Sequence, residues 1–469
     1  MKGKSFIMKK TLTKGKMWCF AIGQFGWSLL SALITNWLVY FYLPNQESIA
    51  KGQTLFIPQG LVIFGALTII GAITAAGRIF DAVTDPLIAN LSDRSKNPKG
   101  RRIPFMKKIA VPFAVVTVLV YWVPVNGISG VNVAWLIVML LLFYLFMTTY
   151  CTPYNALISE LGTTQDTRIS ISTYISVTFL LGSAIGYLAS NIWDALTPVF
   201  GDRILAIRVT FIALSLLGLI ALLVPCFTIQ ETDYIDVKPS EEDAFHSLGK
   251  TFQNKSFRIF VGSDVLYFVA LTIFQTGLPY FITSLMKLPE TYNALLYVAM
   301  TFLSFCCYPL VNHLAHKYNK KRLVLIGFFG LSFAYLVTAL SGSFGLVGDD
   351  GGLIWGVLVV AVAAFPMAIL GILPQAIVAD IAQADAIVTG EKREGMFFAA
   401  RTFAFKLGQS LSMLIFTSLA TIHPESGFGY RLAAVIATAI CISGALVLTQ
   451  YNEGRIMAII VPPEKTGKQ

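Results

Sequence analysis

Long apolar stretches alternate with short polar segments along nearly the whole chain. Most of them reach roughly 20 residues, the length that an α-helix needs to cross the hydrocarbon core of a bilayer. A transmembrane β-barrel would instead show strands of ~10 residues with alternating polarity, which these uniform stretches do not resemble. The pattern predicts about twelve membrane-spanning helices, at residues 17–43, 61–92, 105–124, 133–160, 170–194, 204–229, 258–286, 291–315, 323–343, 352–382, 396–420 and 430–451.

Composition agrees with a membrane-embedded chain. Hydrophobic residues make up 56% of the 469 residues and charged residues 13%, which is about half the charged share of a soluble protein. A water-soluble fold of this length could not bury so much apolar surface. These proportions argue against a soluble enzyme, a nucleic-acid-binding protein, a disordered chain or a disulfide scaffold. They predict an all-α protein that has the lipid bilayer as its partner.

Positive charge is concentrated on one side of the predicted membrane. The net charge is +10, and if the spans alternate in direction, 28 of the 35 Lys and Arg residues lie on one side and 5 on the other. Because basic residues are enriched in cytoplasmic segments, we expect both termini to be cytoplasmic. As a separate expectation, the membrane is a bacterial inner membrane. The basic balance therefore reflects topology and indicates no nucleic-acid partner.

The chain divides into two halves of six predicted spans. Its longest hydrophilic interruption lies between them, and each half has a basic loop after its second span, at 93–102 and 315–322. This organisation is typical of an internal repeat with a solute site between the halves near the bilayer midplane. The predicted domains are a cytoplasmic segment 1–16, a six-helix bundle 17–230, a cytoplasmic loop 231–257, a second six-helix bundle 258–452 and a cytoplasmic tail 453–469.

The second span carries three charged residues on one helix face. Arg78, Asp81 and Asp85 are spaced by three and four residues. Each charge near the centre of a span costs ~2.5–3.5 kcal/mol to insert, so such residues are functional by default. Two carboxylates one turn apart repel each other unless a cation or proton lies between them. The spacing predicts a site for a coupling ion, Na⁺ or H⁺, and the alternative is a structural cluster neutralised by Arg78 and a distant lysine.

The most obvious distant lysine is Lys406, about ten residues into the eleventh span. An ammonium group there would lose its proton or pair with an acid, so we expect it to approach Asp81 or Asp85. Asp264 and Asp380 are predicted nearer the cytoplasmic ends of their spans, where a gating or capping role is at least as plausible as solute binding.

Two spans also carry polar stripes at helical spacing. Such stripes line a polar ligand or water, or they pack helices through small residues. Trp27 beside the first stripe could stack on a sugar ring. The first stripe is Gln24, Ser28, Ser31 and Thr35, and the second is Thr148, Thr152, Asn155 and Ser159.

Three separated segments resemble a known family. They are RIFDAVTDPLIANLSDRSKNPKGRRIPF at 78–105, TPYNALISEL at 152–161 and ADIAQADAIVTGEKREGMFFAARTFAFKLG at 379–408. The chain resembles the glycoside–pentoside–hexuronide:cation symporters of the major facilitator superfamily, the family of the melibiose permease. The resemblance implies twelve spans in two pseudo-symmetric bundles. It also implies cation-coupled transport of a sugar, glycoside or sugar acid, with no cofactor or metal beyond the coupling Na⁺ or H⁺.

Carried over residue by residue, the resemblance implies a retained ion site and an altered sugar site. The helix-one acid of the permease falls at Ser28 and its helix-four acid at Cys151. The tryptophan after its proline–aromatic pair falls at Asn155, and its helix-five arginine falls at Ile175. The implied cation-binding residues are Asp81, Thr84, Asp85 and Thr148. The candidate solute-binding residues are Gln24, Trp27, Ser28, Cys151, Thr152, Asn155 and Lys406. The candidate charge network and gate comprise Arg78, Asp93, Arg101, Arg102 and Asp380.

Other functions remain open at this point. A non-sugar solute such as a lysolipid is one alternative, and an uncoupled facilitator is another. A membrane prenyltransferase would use the DAVTD pair, Asp81 and Asp85, to hold Mg²⁺ and a diphosphate. That chemistry needs a second acidic cluster, and Asp380 and Asp385 do not share a helix face well.

Overall fold

The computed structural model describes residues 12–95, 97–162, 165–234, 249–343, 348–390 and 394–460. Regular structure in these residues is helical, apart from one antiparallel bridge between Ile63 and Leu67. A π-helical turn at Phe281–Leu285 extends the helix that ends at Tyr280. The helices are α1 (Lys14–Tyr42), α2 (Gln46–Ala50), α3 (Ile69–Asp93), α4 (Ile103–Leu119), α5 (Gly130–Leu161), α6 (Gln165–Tyr187), α7 (Ala189–Phe200), α8 (Arg203–Thr228), α9 (Glu231–Tyr234), α10 (Lys255–Tyr280), α11 (Tyr292–Lys317), α12 (Lys320–Leu340), α13 (Gly348–Thr389), α14 (Glu394–Ala420), α15 (Phe428–Thr449) and α16 (Glu453–Ile460).

In the described part of the chain, ten helical segments are long and apolar enough to cross a membrane. The predicted second and third spans, α3 and α4, are not among them. The sequence of α3 is interrupted by Arg78, Asp81 and Asp85, and α4 has only 17 residues. The count of twelve spans therefore remains a prediction, whereas the all-α class is confirmed.

The helix of the second predicted span begins later than the apolar pattern indicates. The predicted span begins at residue 61, whereas α3 begins at Ile69. Residues 60–68 form a loop in which Gly60 and Gly65 have positive φ angles. Thr68 then caps α3, because its Oγ1 accepts a hydrogen bond from the backbone N–H of Gly71 at 3.1 Å. Hydropathy extended the span too far because the loop is itself apolar.

The first compact unit comprises 1–42, 51–57 and 83–243. In it α1 packs on α6 and α8, and α4 packs on α5 and α8. The approach of α1 to α8 needs a glycine, because a Cβ on Gly26 would lie 2.7 Å from the carbonyl oxygen of Gly218. Tyr150 and Tyr154 of α5 are buried, and their hydroxyls donate to backbone carbonyls of α8 and α1.

The second compact unit comprises 43–50, 58–82 and 244–469, so it contains the first half of α3. In this unit α10 packs on α14 and α15, α12 packs on α13 and α15, and α11 packs on α13. Ser263 donates to the carbonyl of Gly444 at 2.8 Å, which ties α10 closely to α15. α3 is held against α14 where Thr68 donates to Thr417 at 2.8 Å.

Candidate functional site

The carboxylate pair of α3 sits in a helix that is exposed on its opposite side. Ile79 and Val83 are exposed, whereas Asp81 is fully buried and Asp85 is half-buried. The four-residue spacing separates the two acids by ~6 Å along the helix axis. An ionised carboxylate without solvent needs a compensating charge or a bound cation.

Lys406 supplies that charge for Asp81. Its Nζ lies 2.9 Å from Asp81 Oδ2, and the two side chains are 12% and 0% exposed. The pair joins α3 to α14 within the second unit. Of the two acids that Lys406 was predicted to approach, the structure brings it to Asp81. The role of this pair in ion binding stays a prediction.

The other residues of the predicted cation site lie in the first unit. Thr84 and Thr148 are buried, as is Arg78 of the second unit, and Asp85 is half-buried. Their side chains therefore have the low exposure that an ion site within a membrane protein requires. Their assignment to a cation rests on the family resemblance.

The predicted solute-binding residues of α1 make contacts within the first unit. Trp27 Nε1 donates to Gln24 Oε1 at 3.1 Å, one turn away, and the Trp27 ring lies 6.3 Å from that of Phe179. Ser28 is buried at a close crossing with α6, where a Cβ on Gly182 would lie 2.2 Å from its hydroxyl oxygen. At Ser28 the structure thus has the helix-packing arrangement that was the alternative for this stripe.

The predicted solute-binding residues of α5 differ in exposure. Cys151 and Thr152 are half-buried and Asn155 is exposed. Thr152 and Asn155 are three residues apart, so they share a helix face. Their hydroxyl and amide groups can both donate and accept hydrogen bonds, as a polyhydroxylated solute requires.

Sequence reasoning missed a second buried ion pair in the second unit. Arg401 of α14 donates to both carboxylate oxygens of Asp264 of α10, from Nε at 2.7 Å and from Nη2 at 3.1 Å. Asp264 is 3% exposed. One signal for this pair is present in the sequence. Arg401 and Lys406 lie in the same predicted span, which indicates that α14 carries two cations.

The loop between α3 and α4 is fixed by two acids of the first unit. Arg101 Nη2 and Arg102 Nη2 lie 2.6 and 2.9 Å from Glu160 Oε1, at the end of α5. The buried carboxylate of Glu231 accepts the backbone N–H groups of Arg101, Arg102 and Ile103 at 2.9–3.1 Å. We call this arrangement the first clamp. Asp93 ends α3, and its side chain lies outside the described residues.

The second unit contains an equivalent arrangement. Glu453, at the start of α16, accepts the backbone N–H groups of Lys320 and Lys321 at 3.0 and 2.9 Å. Lys320 Nζ lies 2.6 Å from Asp380 of α13. Burial, with the charges of Glu453 and Asp380, raises the pKa of the neighbouring Tyr451 phenol far above its usual range, so this group stays neutral. This second clamp matches the first in position, which is the relation expected of an internal repeat.

The side chains described here do not assemble a conventional metal centre. Across the described ranges, no group of three or more His, Cys, Asp or Glu residues could hold a metal ion. Asp380 pairs with Lys320, and Asp385 accepts a hydrogen bond from Asn254 Nδ2 at 3.0 Å. These two acids are thus engaged separately.

Comparison with known proteins gives a match over most of the chain. The family model described as "MFS/sugar transport protein" matches residues 19–448. Because this family includes the glycoside–pentoside–hexuronide symporters, the resemblance inferred from the three segments is confirmed.

Individual relatives align over parts of the chain. The sodium-dependent lysophosphatidylcholine symporter 1 of Xenopus tropicalis is 31% identical over 36% of this chain and 29% of its own length. The inner membrane symporter YicJ of Escherichia coli is 26% identical over 47% of each protein. A protein of the same bacterium named as a glycoside/cation symporter, YagG, is 26% identical over 56% of each. The chain thus covers less than two thirds of each of these relatives.

Solved structures match nearly the whole fold. A crystal structure of a D-xylose–proton symporter has a TM-score of 0.63 over 93% of this chain and 97% of its own, at 15% identity. A crystal structure of the nucleoside transporter NupG has a TM-score of 0.60 over 95% and 98%, at 13% identity. At these identities the similarity concerns the fold alone, and it confirms the predicted major facilitator fold.

Proposed function

Because the chain belongs to the MFS/sugar transport protein family, we propose that it is a secondary transporter that carries a small solute together with a cation by alternating access. The observation that carries this proposal is the ion pair between Lys406 and the fully buried Asp81. A second acid, Asp85, follows one turn later on the same helix, and two carboxylates at this spacing repel each other unless a cation or proton lies between them.

Ion and solute binding are linked through Lys406 in this proposal. A cation bound at Asp81 and Asp85 competes with the ammonium group for Asp81. Once displaced, the ammonium can donate hydrogen bonds to hydroxyl or carboxylate oxygens of the solute. Each ligand then favours binding of the other by the same factor, which is the condition for symport.

The coupling ion is proposed to be Na⁺, with H⁺ as the alternative. Carboxylates alone serve a proton, whereas carboxylates together with hydroxyl oxygens provide the ligands that a hard cation prefers. Thr84 and Thr148 are the hydroxyl groups in question, and both are buried.

The solute is proposed to be a sugar, glycoside or sugar acid. Support comes from the family description and from the relative named as a glycoside/cation symporter. Thr152, Asn155 and the Gln24–Trp27 pair supply polar and aromatic groups of the kind that bind sugars.

A lysolipid is the second candidate solute. The relative named as a lysophosphatidylcholine symporter is 31% identical over its aligned part. Ser28, Cys151 and Ile175 also lack the charged groups implied by the galactoside-binding members of the family, so a less hydroxylated solute fits this chain equally well.

The proposed setting is a bacterial inner membrane with both termini in the cytoplasm. The asymmetry of Lys and Arg along the sequence supports the orientation, and the relative named as an inner membrane symporter supports the location. A prenyltransferase activity is not supported, because Asp380 and Asp385 are engaged with separate partners instead of forming a second acidic cluster.

The test is solute uptake into proteoliposomes under an inward Na⁺ or proton gradient, with a panel of glycosides, sugar acids and lysophospholipids. We expect Asp81→Asn and Asp85→Asn to abolish gradient-driven accumulation. Asp350→Asn, which alters an exposed carboxylate at the start of α13, is the matched control and should accumulate solute normally. Undiminished accumulation in both site variants would refute the coupling role.

A further inference from the structure

A basic pocket opens between the start of α4 and the end of α8 in the first unit. Its volume is about 770 Å³, and its lining includes Lys99, Lys107 and Lys108 together with Phe227 and Ile229. The three lysines are exposed. The proposed transport function does not use any of these residues.

The described lining of the pocket is basic. Among the described residues that line it there is no Asp or Glu. Glu231 follows the lining residue Gln230 in sequence, but it is buried and its carboxylate accepts three backbone N–H groups of the first clamp. Gln230 and Thr232 add exposed hydrogen-bonding groups at the rim. These groups fit an anion with several oxygen acceptors, such as a phosphate ester.

One side of the pocket is apolar, and it continues onto the helix surfaces. Lys107 Nζ lies 3.9 Å from the centre of the Phe227 ring, which is 66% exposed. On α4, Lys107 is followed at four-residue spacing by the exposed Val111 and Val115. On α8, the exposed Ile220 precedes Phe227 by two helical turns.

The two apolar stripes run along neighbouring helices, because α4 packs directly on α8. The basic start of α4 and the end of α8 meet at the pocket, and both helices carry exposed apolar side chains beyond it. A positive site for oxygen acceptors, followed by a long apolar surface, is complementary to an amphiphile whose head is anionic. A free phosphate would contact only the lysines, whereas a phospholipid would contact both the lysines and the two stripes.

We propose that this pocket binds the phosphate headgroup of an anionic phospholipid, and that the acyl chains lie along the exposed stripes of α4 and α8. Lys107 and Lys108 bind the phosphate oxygens, and Phe227 separates the headgroup from the acyl region. Bound lipid then bridges the ends of two helices and stabilises the first unit.

The test measures lipid-dependent thermal unfolding of the full-length protein in detergent. Dioleoylphosphatidylglycerol and dioleoylphosphatidylcholine are titrated in separate experiments. Two soluble ligands without acyl chains, sn-glycerol 3-phosphate and inorganic phosphate, are titrated in the same way. We expect phosphatidylglycerol to raise the unfolding midpoint most. In Lys107→Gln/Lys108→Gln its apparent affinity should fall by about 25-fold, since a lysine near anionic lipid contributes about fivefold.

Lys250→Gln/Lys255→Gln is the matched control, because it removes two exposed lysines of the second unit. It should retain the wild-type affinity. Phe227→Ala gives an independent variant, and it should bind phosphatidylglycerol about two- to fivefold more weakly through loss of the contact with Lys107. The number of phosphatidylglycerol molecules retained in native mass spectrometry should fall by one in the double lysine variant.

Equal stabilisation by phosphatidylcholine would overturn the proposal, as would unchanged phosphatidylglycerol affinity in both pocket variants. A midpoint shift with sn-glycerol 3-phosphate or inorganic phosphate as large as that with phosphatidylglycerol would also overturn it, because the site would then bind phosphate without the lipid chains.

Discussion

Arg401 holds Asp264 through two hydrogen bonds, from Nε at 2.7 Å and from Nη2 at 3.1 Å, inside the second unit. The guanidinium also lies 5.5 Å from the ring of Phe268. The same helix carries Lys406 in its pair with Asp81. α14 therefore contributes two cations to buried acids on two other helices, and each pair makes a separate prediction.

Removing one member of the Arg401–Asp264 pair should destabilise the protein strongly. We expect Asp264→Leu or Arg401→Leu to lower the free energy of unfolding by about 3–5 kcal/mol, because a buried charge remains uncompensated. The double variant should be more stable than either single variant. Thermal unfolding of the four proteins gives the coupling energy, and additive single effects would show that the two groups do not depend on each other.

Lys406→Met should make stability depend on the cation. Without Lys406 the buried Asp81 has lost its ammonium partner, so the variant should unfold at a lower temperature in choline chloride and recover in sodium chloride. Lys317→Met, which alters an exposed lysine at the end of α11, is the control. If Na⁺ stabilises the variant no more than the wild type, the proposed exchange between lysine and cation is wrong.

The two clamps should respond independently to substitution. Glu231→Gln replaces a charged acceptor of three backbone N–H groups, and each such charge-assisted bond contributes about 1.5–3 kcal/mol. We expect faster amide hydrogen exchange at Arg101, Arg102 and Ile103. Glu453→Gln should accelerate exchange at Lys320 and Lys321 instead. Each variant serves as the control for the other, and exchange that rises at both loops in either variant contradicts two separate clamps.

Gly71 permits the contact between α3 and α14. A Cβ at Gly71 would lie 2.1 Å from Thr417 Oγ1, which accepts the hydrogen bond of Thr68. Gly71→Ala should therefore destabilise the protein by about 1–3 kcal/mol. Adding Thr417→Ala should recover part of the loss, since the Cβ of residue 417 would remain at 3.3 Å.

Gly130→Ala is the matched control for this substitution, because a Cβ at Gly130 meets no atom within 4 Å. Its unfolding temperature should equal that of the wild type. A wild-type unfolding temperature for Gly71→Ala itself would show that α3 can move away from α14 without loss.

Local sequence patterns predicted the helical class and the buried charges of α3, because hydropathy and four-residue spacing are properties of single segments. The possible partners of Lys406 could be narrowed to two acids, Asp81 and Asp85, since a buried ammonium group has few possible partners. The pairing of Arg401 with Asp264 was missed, because both residues were placed near span ends where solvent would satisfy them.

The acids of the clamps were missed for a related reason. These acids lie at helix ends, where an acidic residue normally indicates only a solvent-exposed surface. They are Glu160, Glu231 and Glu453. Their function follows from backbone N–H groups that are distant in sequence, and no side-chain pattern encodes such donors. Similarly, the burial of Ser28 depends on Gly182 of another helix, so spacing alone left both lining and packing open.

The paired clamps are the kind of feature that the predicted internal repeat would keep beneath divergent side chains. One copy uses two arginines with Glu160, and the other uses a lysine with Asp380, yet in both a glutamate carboxylate receives main-chain amides of a connecting loop. The side chains of the two loops differ, whereas the glutamate that accepts the main-chain N–H groups is the same in both. If the predicted repeat exists, a comparison of the two halves by the acceptors of main-chain donors should therefore detect it more readily than a comparison of the loop side chains.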